Sequence, residues 1–132
     1  MRGKTMILCS AMLAVGFLAS EALHAQQGIK RTPLQKDEVP GSNYEAVFGL
    51  AEVPAGASVG RHTHPGVEMG YLIEGEGVLL VDGQGERAIK AGDSWRIEAG
   101  KPHDARITAS TPAKVVAVYI VEKGKPLASP AP

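Results

Sequence analysis

The chain lacks most of the residues from which chemistry is usually guessed. One cysteine occurs in 132 residues, Cys9, so no disulfide framework can be written for it. Neither sign of charge is in excess, since 14 Lys and Arg face 14 Asp and Glu. With no basic patch and no block of like charge, nothing suggests nucleic acid or a polyanionic surface as a partner. No Ser–His–Asp order, paired-carboxylate spacing or phosphate loop is found. The glycine-bearing stretches Gly75-Glu76-Gly77 and Asp82-Gly83-Gln84-Gly85 are turns, because no helical pattern follows either of them. Helical periodicity is absent beyond the first segment. Long apolar runs are also missing, apart from Met6 to Ala19, which falls short of the ~20 residues that span a bilayer.

That one run has a setting of its own. Arg2 and Lys4 precede it, and Glu21-Ala22-Leu23-His24-Ala25 leads from it into Gln26-Gln27. A short basic start, an apolar middle and a small-residue exit make residues 1–25 a signal peptide. The expected location is therefore periplasmic or secreted, with no membrane span after cleavage, and Cys9 leaves with the leader. A single arginine in the basic start is not a twin-arginine signal, so the protein is expected to fold and load any ion outside the cytoplasm. The 132 residues less the 25 of the leader leave 107, enough for one compact core. Residues 26–42 are polar, contain Pro33 and Pro40, keep neither period and read as an N-terminal arm. Residues 43–123 break into short Val- and Ile-rich runs separated by glycine. That spacing predicts an all-β antiparallel barrel or sandwich. Residues 124–132 read as a C-terminal surface tail.

Of four histidines, His24 belongs to the leader, which leaves His62, His64 and His103. On a strand, residues i and i+2 point to one face, so His62 and His64 present their rings together. Pro65-Gly66-Val67 turns the chain and Glu68 opens the next run. His103 follows a Gly-Lys-Pro turn. Three imidazole nitrogens and one carboxylate oxygen suit a borderline divalent metal. An HxH pair alone is more often an exposed strand pair, and a lone Glu68 a solvated one. The frame around them raises their weight.

Gly56, five residues, His62-Thr63-His64, three residues, Glu68, six residues and Gly75 is a pattern that resembles the first motif of the cupin superfamily. Gly92, Gly100 and His103 resemble its second motif, with Glu98 in place of the usual proline and Ile107 in place of the asparagine. The resemblance spans roughly Tyr44 to Glu122. It implies a jelly-roll barrel of two antiparallel sheets and one divalent transition metal on His62, His64, Glu68 and His103. Zn, Mn, Fe, Cu and Ni all remain open, although loading outside the cytoplasm favours Cu and Zn. Binding requires neutral imidazoles, so affinity is expected to weaken below about pH 6.

Strand alternation puts Glu68, Gly70 and Leu72 on one inward face, and His103, Ala105 and Ile107 on another. A small apolar pocket bounded by Gly70, Leu72 and Ile107 is expected beside the metal. Trp95 and Tyr119 read as packing residues. The expected function is a metal-dependent enzyme acting on a small organic molecule. Its chemistry would be oxygenase-like, or that of a decarboxylase or isomerase. The alternative is a non-catalytic periplasmic protein that binds a small ligand or the metal itself. A homodimer is expected because Val115–Val121 is apolar on both alternating faces. One face would fill the barrel while a partner, or the N-terminal arm, covers the other.

Overall fold

The computed structural model describes residues 28–132; the expected leader, with Cys9 and His24, lies outside the described residues. Ten strands follow in order: β1 (Lys30–Glu38), β2 (Tyr44–Val53), β3 (His62–Thr63), β4 (Gly66–Glu74) and β5 (Glu76–Val81). After them come β6 (Arg87–Lys90), β7 (Ser94–Ile97), β8 (His103–Ile107), β9 (Ala113–Glu122) and β10 (Ser129–Pro130). Among the described residues there is no helix. Two five-stranded antiparallel sheets form, in the orders β1-β2-β9-β4-β7 and β10-β3-β8-β5-β6. This is the jelly-roll architecture, two sheets curled around one core.

Alternation explains the layering. In β5 every second residue is buried, and in β7 Trp95 and Ile97 are buried while Ser94 and Arg96 are exposed. The inward residues meet in a core centred on Val53, Leu72, Leu79, Ile97 and Ile107. β9 sits mid-sheet, paired along its length with β2 and β4.

The stretch read as an N-terminal arm is largely a strand. Residues 30–38 pair with β2 at the sheet edge. All but one of its side chains are exposed, so neither face imposes the alternation by which a strand is recognised. The edge position tolerates Pro33, next to a register shift between Pro33 and Gln35. Ion pairs hold it to its neighbour, Lys30–Glu52 at 3.2 Å and Lys36–Glu45 at 2.9 Å. The tail is also ordered into the fold: Ser129 and Pro130 pair with Thr63 and His62, which brings the chain's last segment over one end of the barrel.

Candidate metal centre

The structure brings His62, His64, Glu68 and His103 together, with one ligand atom from each lying within 4.8 Å of the others. They come from both sheets. His62 opens β3 and lies opposite His103, the first residue of β8. Glu68 stands on β4, paired with Tyr119 on one side and Ile97 on the other. His64, Glu68 and His103 are buried, and His62 is half-buried.

Three backbone carbonyls orient the three rings. Nδ1 of His62 lies 2.6 Å from the Gly60 oxygen, that of His64 2.6 Å from the Leu127 oxygen, and that of His103 2.9 Å from the Lys101 oxygen. A carbonyl only accepts, so each Nδ1 carries the donated proton and each Nε2 is turned inward. The inward atoms crowd one point. His62 Nε2 and His64 Nε2 are 3.2 Å apart, while Glu68 Oε2 lies 3.0 Å from His64 Nε2 and 3.1 Å from His103 Nε2. Donor atoms sharing one metal ion at ~2.1 Å each would stand about this far from one another. Four converging acceptors repel unless a cation lies among them, and the residues fit a divalent ion.

The supporting groups are equally specific. Trp95 Nε1 donates to Glu68 Oε1 at 2.8 Å, which leaves Oε2 for the cluster. Buried Asp104 accepts from Ser58 Oγ at 2.7 Å and from the Gly60 amide at 2.9 Å. It thereby fixes the loop whose Gly60 carbonyl holds His62. Gly60 has φ +89°, a conformation that side-chain-bearing residues rarely adopt. The amide of Gly100 donates to the carbonyl of His64 at 2.9 Å, tying the two motif loops together. With Glu98 in place of proline, that second loop still closes through Lys101 N–H donating to the Glu98 carbonyl.

Electrostatics respond to this crowding. Burial, helped by His103 and His64 and opposed by the Gly60 carbonyl, pushes His62 down to about 4. Burial alone would raise the Glu68 carboxyl, but the adjoining His103 and His64 rings and the Trp95 N–H outweigh it and hold the group well below the usual carboxylate range. His103 moves the other way: burial opposes its charge, yet the Glu68 carboxylate prevails and raises it. Protonation of His103 would thus place a cation among the four acceptors in the metal-free protein.

A cavity of about 440 Å³ opens on the cluster. Its walls are mainly apolar, with Val53, Val59, Leu79, Ala105 and Val115 among them, and residues 127–130 of the tail close one side. The expected pocket residues are placed differently. Gly70 faces inward, but the Trp95 indole covers it, and a Cβ added there would lie 2.3 Å from Trp95 Cε2. Its missing side chain makes room for tryptophan, not for a ligand. Leu72 and Ile107 are core residues. Sequence reasoning passed over Trp95, Tyr119 and Arg31, all of which line the cavity. The inward alternation of Trp95 with Ile97 was the available signal for the first. Arg31 lay in a stretch with no readable period.

Trp95→Phe tests the orienting bond. The phenyl ring retains most of the packing and loses the N–H, so metal affinity is expected to fall ~10- to 100-fold, read by equilibrium dialysis. Unchanged affinity would show that Glu68 needs no such support.

A family model described as Cupin domain matches residues 49–119. An oxalate-binding protein of Thermotoga maritima is 36% identical over 80 residues, which cover 60% of this chain and 65% of that protein. The chain therefore spans slightly less than two thirds of that relative's length. A predicted oxalate decarboxylase of Thermotoga maritima superposes with a TM-score of 0.54 at 28% identity, covering 71% of this chain and 94% of the other. A DMSP lyase of Ruegeria pomeroyi superposes with a TM-score of 0.66 at 20% identity, over 92% of this chain and 57% of that one, a likeness of fold alone. The jelly roll, the spacing of the two motifs and a family match over more than half the chain agree, and the chain belongs to the cupin superfamily.

Proposed function

We propose that this is an exported cupin that holds one divalent transition metal on His62, His64, Glu68 and His103 and binds a small organic acid beside it. The observation that carries this reading is the convergence of four acceptor atoms, each fixed by a hydrogen bond of its own, in a cavity whose walls are mainly apolar. The names of the Thermotoga relatives, one oxalate-binding and one a predicted oxalate decarboxylase, support an acid as the ligand. The metal, when bound, would supply Lewis-acid or oxygen-activating chemistry.

Turnover of the bound acid is a second reading, favoured by the character of the walls. Tyr119 packs against His64 with ring centroids 4.7 Å apart and planes tilted by 53°. Burial and the Glu68 charge hold its hydroxyl proton well above the usual range, so it stays neutral in the cavity. Isothermal calorimetry of metal-loaded protein with oxalate and larger acids tests binding, and loss of acid or uptake of oxygen in the same samples tests turnover. Tight binding without turnover establishes the binding protein. Absence of both overturns the proposal.

The proton on His103 sets the pH dependence. A metal ion must displace it, and because Glu68 raises this group above its ordinary 6.5, competition begins on the alkaline side of that value. Apparent metal affinity is expected to decline steadily from pH 8 to pH 5. His62, already neutral down to about 4, contributes little over this range. Equal occupancy at pH 8 and pH 5 in dialysis would contradict a histidine-held ion.

A homodimer belongs to the same proposal. The arm pairs edge-on with β2 and so leaves the outer face of β9 uncovered. Val116 and Val118 line a surface groove there with Phe48, Met69 and Tyr71, of which Met69 and Tyr71 are exposed. Light scattering is expected to give twice the chain mass, reduced to one by Tyr71→Asp; a monomeric wild type would refute the pairing.

A further inference from the structure

We propose that Arg31 is the second anchor of the ligand, and that the site takes a diacid with an apolar spacer. This rests on the reading that an organic acid binds at the metal. Ion pairing divides the cations of β1. Lys30 and Lys36 are each paired with a glutamate of β2, whereas Arg31 lies opposite Ala51, and both Arg31 and Ala51 line the cavity. Among the described residues Arg31 makes no ion pair, although the chain carries as many acidic as basic residues. Apart from the ligand histidines it is the one basic side chain in the cavity lining, and its charge is felt at the Tyr119 hydroxyl.

The cavity thus presents two features matched to anions, the metal ligands and the guanidinium on β1, in walls that are otherwise mainly apolar. Ile29, Ala51, Val53 and Val115 are among those walls, and none offers a side-chain hydrogen bond. Size points the same way. At ~30 Å³ per water molecule, the cavity of about 440 Å³ has room for roughly fifteen, so a six-atom acid such as oxalate would fill only a small part of it. A diacid whose apolar middle replaces that water would place one carboxylate at the metal and the other on the fork of Arg31, a geometry suited to bidentate pairing.

The test is calorimetry on metal-loaded protein with the α,ω-diacids from oxalate to suberate, each beside the monoacid of the same chain length. One or more diacids longer than oxalate are expected to bind at least tenfold more tightly than their monoacids. Arg31→Ala is expected to remove that difference while leaving monoacid affinity and metal content unchanged, and Arg31→Lys to restore part of it. Diacids no tighter than monoacids, or a preference that survives Arg31→Ala, would overturn the role of Arg31 while leaving acid binding in place. Failure of the wild type to bind any acid would overturn both that role and the function on which it rests.

Discussion

His103→Ala is expected to reduce metal content from about one ion per chain to less than about a tenth, measured by elemental analysis of the purified protein. The reason is geometric. His103 is the one ligand contributed by β8, the strand that carries the second motif. Its Nε2 lies 3.1 Å from Glu68 Oε2, and its Nδ1 is held by the Lys101 carbonyl. Without the ring the ion would retain donors only from the segment between His62 and Glu68. The carboxylate of Glu68, 6% exposed, would also lose the group that chiefly offsets its burial. An ionised carboxylate with too few partners in a buried site is costly, so some loss of stability should accompany the loss of metal. A control separates the two: if the variant retains the wild-type far-ultraviolet spectrum, the missing metal reports ligation and not unfolding. Equal metal content in variant and wild type would remove His103 from the ligand set.

The second large effect concerns a residue that touches no ligand. Gly66 begins β4, between His64 and Glu68, and pairs with Val121 of β9. A Cβ at this position would lie 1.9 Å from the Ile120 carbonyl oxygen and 2.6 Å from Val121 Cα. These are backbone atoms of a strand paired on both sides, so they cannot swing aside as a side chain would. Gly66→Ala is therefore expected to cost about 3 kcal/mol or more, a fall in Tm of at least ~10 °C. Gly85→Ala is the matching control, because nothing lies within 4 Å of the corresponding Cβ. Similar melting temperatures for Gly66→Ala and wild type would mean that β4 and β9 can separate at little cost.

Gly66 also shows where sequence reading works and where it stops. The period of a strand put His62 and His64 on one side, and the glycine frame around them identified the barrel, because both are local properties of the chain. Register is not local. That Gly70 faces Trp95 across β4 and β7 decides whether the space beside Glu68 belongs to a ligand or to an indole, and nothing within either strand says so. The expected pocket residues were displaced for this reason: inwardness was legible, but which inward neighbour fills which gap was not. β1 escaped detection for a different cause. An edge strand wetted on both faces has no pattern to show, and with it Arg31 was hidden, since its place at the cavity follows from the pairing with Ala51. The three carbonyls that turn the imidazoles inward were invisible in principle, because a backbone oxygen leaves no mark in a sequence.

One of those carbonyls comes from Leu127, 63 residues beyond the histidine it holds. The tail that carries it is fastened at two further points, by the Ala131 N–H donating to the Arg61 carbonyl and by the pairing of Ser129 and Pro130 with β3. Ion and tail are therefore thermodynamically linked. If an anchored tail tightens the ion by some factor, the ion must tighten the tail by the same factor. A segment with no metal donor of its own would thus help to set how tightly a metal is held.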